Sequence, residues 1–338
     1  MKLFVFGFPG EIGGADTKMT HTLPLWTEIA DQVTCIANAP NQITPENKWT
    51  KYLDSLGISY CLKEDIKCDP GDIALSLCNP FFFKQGFCEY AKEIGLKVIW
   101  SSEMMWHHDK ELECVKKGMV DKVLYVSDIQ KQKLTYPDDM PWSITGNYID
   151  ESKFPYKMRT FNYLNIGRLS REDSYKYTEN FPIFYEEMIR DIPPNKIHFL
   201  IMAWDKILED KYKWHNFDRR WTFFTPMQMD TLAFLYKLNV FAYPLGHNFV
   251  ESWGRSTVEA MLTGCIPITF SGHHLDNLID PGVSGFIADD IGDWRNIMSE
   301  LFNNPIMRVK LGKQAAECAR EFCNREHHIE IWKTALHV

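Results

Sequence analysis

The sequence predicts an α/β protein with two doubly wound parallel sheets, and three observations lead there. The first is length and composition: 338 residues with 45% hydrophobic and 14% aromatic content suffice for two cored domains and exclude a disordered chain. The second is a set of short continuous apolar runs, as strands buried on both faces require. The third is the spacing of those runs, which leaves room for helical crossovers between them.

In the first half the strands fall at residues 2–8 (KLFVFGF), 32–37 (QVTCIA), 73–77 (IALSL), 97–100 (KVIW) and 122–126 (KVLYV), with a helix over 17–31. A glycine-rich stretch follows the first strand. A second series begins after residues 148–156, with strands at 161–166, 197–202, 221–224, 240–243 and 266–270. No internal repeat, low-complexity tract or long linker separates the two. The expected division is therefore residues 1–152, residues 153–314 and a terminal helical segment 315–338, with ligands bound in a cleft outside the carboxyl ends of the strands.

Charge and cysteine content narrow the function. Acidic residues number 45 against 37 basic, a net charge of -8, so no basic footprint marks a general nucleic-acid binder. Nine cysteines at irregular spacing, without a C-x-x-C pair, fit buried thiols in a reducing compartment, and a cytoplasmic location is expected. No segment reaches membrane-spanning length. The adjacent carboxylates Asp138-Asp139 and Asp289-Asp290 read as solvated turns rather than a metal site.

The most informative segment is residues 251–267, ESWGRSTVEAMLTGCIP, which follows a strand and turns into an amphipathic helix ending at Gly264. If that helix starts near Gly254, the amides of Gly254, Arg255, Ser256 and Thr257 form a positive dipole end suited to a nucleotide phosphate. Glu259, one turn in, is placed to accept hydrogen bonds from ribose hydroxyls, and Glu251 stands in the loop before the helix. From the residues alone, both glutamates also read as solvated helix and loop positions.

Glu251 and Glu259 with seven residues between them, followed by Ala260, Met261, Gly264 and Pro267, resemble the E-x7-E region of retaining GT-B glycosyltransferases, specifically glycosyltransferase family 4. The resemblance extends along most of the chain. Residues 164–170 (LNIGRLS) look like the strand and phosphate-binding turn, 121–134 (DKVLYVSDIQKQKL) like the serine-bearing strand and helix, and 146–154 (GNYIDESKF) like the interdomain segment. Residues 271–286 follow the glycine-rich loop, with Gly272, Gly282 and Gly285, while residues 10–15 (GEIGGA) fall where the family places its first-domain glycine loop.

The resemblance implies a nucleotide-sugar donor held by Gly13, Gly14, Arg168, Arg171 and Lys176, and by Glu251, Ser252, Trp253, Gly254, Arg255, Ser256 and Glu259. Catalytic roles fall to Glu251, Arg168, Lys176, Glu103 and His108. Arg168, at a strand end, would meet the diphosphate. The family's lysine five residues later is Asp173 here, so either Lys176 reaches back to the phosphate or Arg168 and the helix amides act alone. Many relatives carry a sugar-contacting histidine where Ser102 stands; Glu103, His107 or His108 would act in its stead. The resemblance further implies retention of anomeric configuration without a required metal or other cofactor, and return of the terminal segment to the first domain; a hinge is expected near residues 146–155, where the first α/β series ends.

The expected reaction is transfer of a hexose, from UDP-sugar by preference, to a hydroxyl of a glycan or small molecule. A modified DNA base is the alternative acceptor; a nucleotide-sugar epimerase and a non-catalytic sugar-nucleotide-binding subunit are alternative functions. A nicotinamide-dependent oxidoreductase would need G-x-G-x-x-G after the first strand, which GFPGEIGGA does not supply. Residues 1–152 carry 15 basic and 22 acidic residues, which argues against an extended nucleic acid or an anionic membrane as acceptor.

Overall fold

A computed structural model describes residues 1–10, 13–159, 162–170 and 173–337. The chain forms two compact units, Met1–Ile149 with Asn324–Val338, and Asp150–Cys323.

Among the described residues, the first unit contains seven parallel strands: β1 (Lys2–Phe6), β2 (Gln32–Ile36), β3 (Ser59–Cys61), β4 (Ile73–Leu77), β5 (Lys97–Ser101), β6 (Lys122–Tyr125) and β7 (Trp142–Ile144). Their order is β3-β2-β1-β4-β5-β6-β7, which reverses direction of winding between β1 and β4. The apolar run of β1 is continuous because both faces are covered. Leu3 and Val5 pack with Trp26 and Trp332, whereas Phe4 and Phe6 pack with Phe82 and Trp100 on the opposite side.

Trp332 anchors the last described helix in the first unit. The Arg325–Leu336 helix seats this fully buried indole edge-on against Trp26 of the Gly14–Ile29 helix, with ring centroids 5.0 Å apart. Lys122 Nζ donates to the carbonyls of Thr334 at 3.2 Å and His337 at 2.8 Å, capping the helix's negative end. The preceding Pro305–Phe322 helix belongs to the second unit, so the returning segment starts at Asn324 rather than at residue 315.

The second unit contains six parallel strands: β8 (Leu164–Leu169), β9 (Ile197–Met202), β10 (Trp221–Phe224), β11 (Val240–Tyr243), β12 (Ile266–Thr269) and β13 (Phe286–Ile287). Their order is β10-β9-β8-β11-β12-β13, with the winding reversed between β8 and β11. Crevices at such reversals, beyond the carboxyl ends of the strands, are where doubly wound sheets bind ligands. In this unit the reversal is flanked by Arg168 near the end of β8 and by the segment from Pro244 to Glu251 after β11.

Candidate functional site

In the second unit, a short turn delivers a lysine to a glutamate. Residues Ser174–Lys176 form a 3-10 turn, and Asp173 caps it by accepting the Tyr175 amide at 3.0 Å. Asp173 thus presents Lys176. Lys176 Nζ lies 2.9 Å from Glu251 Oε2, and the Tyr243 hydroxyl donates to the same oxygen at 2.8 Å. The Glu251 amide donates to His273 Nδ1 at 3.2 Å, fixing the loop. Burial raises the Glu251 carboxyl, but Lys176, Tyr243 and His273 outweigh it and hold the group below the usual carboxylate range. Burial, with Glu251 alongside, pushes the Tyr243 phenol up to about 12, so it is a neutral donor.

Arg168 holds this arrangement together. Its guanidinium has no exposed surface, stacks 3.9 Å from the centroid of Tyr177 and 4.5 Å from that of Tyr243, and donates to the carbonyls of Pro244 at 2.7 Å and Lys176 at 2.6 Å. Two aromatic faces and two carbonyl dipoles surround the cation, while its buried Nε has no hydrogen-bond partner among the described residues. The side chain reaches the strand end expected of it, with its terminal nitrogens engaged by main chain rather than turned toward a diphosphate. Arg171 lies outside the described residues.

The Arg255–Thr263 helix begins one residue after Gly254, whose φ of 91° and whose neighbour Leu275, 2.3 Å from where a Cβ would stand, both require glycine. The first-turn amides of Arg255 and Ser256 lie at the positive end of the helix. The Thr257 amide, expected among them, instead donates to the Gly254 carbonyl at 3.0 Å. Glu259 Oε1 lies 2.9 Å from Arg255 Nε one turn back, and burial raises its carboxyl despite that partner. Glu251 and Glu259 are each 8% exposed, so neither is a solvated surface residue. Trp253 is buried and stacks on His274, while Ser252 and Ser256 are half-buried.

In the first unit, Gly13 has a φ of 98° and caps the Gly14–Ile29 helix; a Cβ at Gly13 or Gly14 would meet nothing within 4 Å. Glu103 is held by the fully buried Lys18, whose Nζ lies 2.7 Å from Oε1 and 3.3 Å from Thr145 Oγ1; Ser101 Oγ lies 3.2 Å from the same carboxylate oxygen. Ser102 is fully buried, and its carbonyl accepts Gln130 Nε2 at 3.0 Å. His107 Nδ1 is 3.1 Å from Glu111 Oε1, and His108 Nε2 is 3.4 Å from Cys78 Sγ. Burial lowers the His108 imidazole, keeping it neutral near pH 7.

Lys18, Tyr243 and His273 were not singled out from sequence. Lys18 carried a usable signal, a lysine on a helix face otherwise occupied by Met19, Thr22 and Trp26; Tyr243 and His273 reach the site only through the fold. Among the described residues, no three histidine, cysteine, aspartate or glutamate side chains gather as metal ligands. Asp289 accepts from Ser271, and Asp290 caps the Ile291–Asn303 helix. No helix among the described residues is long and apolar enough to cross a membrane.

No family model matches the chain. A D-inositol 3-phosphate glycosyltransferase of Corynebacterium kroppenstedtii is 28% identical over 120 residues, which is 34% of this chain and 26% of that protein. The matched stretch thus spans about a quarter of the relative's length. Among solved structures, HepE of Anabaena in complex with UDP and glucose superimposes with a TM-score of 0.75 at 13% identity, covering 99% of both chains. A complex of the same protein with UDP-glucose gives 0.74. Sucrose-phosphate synthase from Thermosynechococcus elongatus gives 0.69 at 13% identity, covering 99% of this chain and 98% of that one. The two parallel-sheet α/β units, of seven and six strands, have the GT-B fold of these glycosyltransferase structures.

Proposed function

We propose that the protein is a glycosyltransferase that moves a hexose from a nucleoside diphosphate sugar, UDP-linked by preference, to a hydroxyl acceptor with retention of configuration and without a required metal. The observation that carries this reading is the junction of Lys176, Glu251 and Tyr243 beside the helix starting at Arg255, in a fold shared with structures that hold UDP and UDP-glucose.

In the reaction, the bond from the anomeric carbon to the diphosphate oxygen breaks and a bond to the acceptor oxygen forms, with the acceptor's proton released. Positive charge develops on the sugar and negative charge on the leaving diphosphate. The Arg255 and Ser256 amides and the Lys176 ammonium stabilise the diphosphate. Glu251, ionised at neutral pH, sets a negative potential beside the anomeric carbon and accepts donor hydroxyls. Glu259, oriented by Arg255, accepts from the ribose. Arg168 is a positioning residue that acts through the Lys176 and Pro244 carbonyls. In the first unit, Glu103, oriented by Lys18, is assigned to orienting the acceptor hydroxyl.

Calorimetric titration with UDP, GDP and ADP tests the donor class. Saturable binding of UDP in preference to the other two supports the reading, and no binding of any of them at millimolar concentration overturns it.

A further inference from the structure

Phe81 and Trp106 are 45% and 47% exposed, and both follow carboxyl ends of neighbouring strands: Phe81 after β4, Trp106 after β5. Aromatic rings exposed at the carboxyl edge of a parallel sheet, where such sheets bind ligands, offer flat apolar faces to a ligand.

The backbone that carries both rings is fixed. Asn79 Oδ1 accepts the Phe81 amide at 3.1 Å, and Asn79 Nδ2 donates to Asn38 at 2.8 Å. Gln130 Nε2 donates to the Met104 carbonyl at 2.9 Å, while buried Glu111 accepts the His108 amide at 2.8 Å and pairs with His107. Trp106 stands between these anchors. The two segments are tied to each other by Cys78 and His108 at 3.4 Å and by Lys84 and Asp109 at 3.1 Å. A preorganised backbone lowers the ordering cost of binding.

We infer that Phe81 and Trp106 form the platform for a neutral saccharide acceptor, an inference that rests on the glycosyltransferase reading above. A pyranose presents a face of C–H bonds to an aromatic ring and a rim of hydroxyls to neighbouring polar groups, here the exposed Lys84 and Asp109 pair. Nucleobases also stack on aromatic rings. Charge decides between the two: the unit formed by residues 1–149 and 324–338 carries 17 basic and 22 acidic residues, a field that repels a polyanion and leaves an uncharged sugar unaffected.

The test uses the full chain, with maltose, cellobiose, lactose and a 12-base-pair DNA duplex as probes. Saturation-transfer NMR reads binding, and UDP release from UDP-glucose reads transfer. A disaccharide is expected to show strongest saturation on its C–H face and to accelerate UDP release. Trp106→Ala is expected to raise the disaccharide KM about tenfold and Phe81→Ala severalfold, with a larger effect on acceptor KM than on donor KM. Trp142→Ala, which removes a comparably exposed tryptophan from β7, serves as control and leaves the disaccharide KM in place. Absence of saturation transfer to all three disaccharides, tighter binding of the duplex, or equal damage from Trp142→Ala would overturn the platform. Failure to release UDP, with saccharide saturation still lost in Trp106→Ala, would overturn the transferase reading and leave the platform standing.

Discussion

Lys176 Nζ sits 2.9 Å from Glu251 Oε2 in a site where both side chains are largely buried. Removing one member of such a pair strands the other's charge away from water. Lys176→Met is expected to cost about 3–5 kcal/mol in urea unfolding. The double variant Lys176→Met, Glu251→Gln should recover much of that loss, since neither charge then remains. Additive losses would show that the two groups do not depend on each other.

Glu251 and Glu259 should fail differently when neutralised. Glu259→Gln is expected to weaken UDP binding about tenfold, as expected for loss of a charge-assisted hydrogen bond to the ribose. Glu251→Gln is expected to lower turnover more than UDP affinity, because its partner is the reacting sugar. Calorimetry and steady-state kinetics on both variants check this split, and equal effects of both substitutions on stability alone would refute it.

The same two carboxyls should titrate on opposite sides of the ordinary glutamate value of about 4.3. Glu251 is held low, so its contribution to stability is present above that value and is lost as pH falls through its folded pKa. Glu259 is raised by burial, so its contribution is present below that value and is lost as pH rises through its folded pKa. Carboxyl 13C NMR, assigned with the two Gln variants, reads each directly. Titration of Glu259 below Glu251 would contradict the burial and pairing described.

Arg168 carries a stability role that its strand-end position does not reveal. Arg168→Met should cost about 3 kcal/mol, from two charge-assisted hydrogen bonds and the stacking between tyrosines. Arg168→Lys should recover only a minor part, since an ammonium cannot serve both carbonyls while stacking flat. Thermal unfolding of both variants measures this.

Gly254→Ala is expected to be far more damaging than Gly13→Ala. Both glycines have positive φ, but a methyl group at Gly254 meets Leu275 Cδ2 at 2.3 Å, whereas one at Gly13 meets no atom of the described residues within 4 Å. Backbone strain of about 1–3 kcal/mol is common to both. Only Gly254→Ala adds a clash, and it should also displace the Arg255–Thr263 helix and weaken UDP binding. Similar melting temperatures for the two variants would count against that geometry.

The sheets were legible wherever strands are long and buried on both faces. Ile73–Leu77, Ile197–Met202, Trp221–Phe224 and Val240–Tyr243 fall where their apolar runs place them. Ser59–Cys61, Trp142–Ile144 and Phe286–Ile287 did not stand out, because two or three residues at a sheet edge carry no periodicity. The expected strand at 161–166 begins instead at Leu164 and runs to Leu169, so that Arg168 lies within it. At the candidate site, spacing put Glu251, Gly254 and Glu259 around the start of one helix, which is where the structure has them. It could not tell that Arg168 turns into the protein or that Asp173 serves as a cap, because those facts depend on the Tyr177, Tyr243 and Pro244 contacts that only the fold brings together.

The most direct test is release of free nucleotide from a panel of UDP-, GDP- and ADP-hexoses, with and without disaccharide acceptors. Release of UDP from a UDP-hexose, accelerated by an acceptor and reduced in Glu251→Gln, is the expected result. No release from any donor by a folded protein, or release that is unchanged in Glu251→Gln, would contradict assignment of this site to glycosyl transfer.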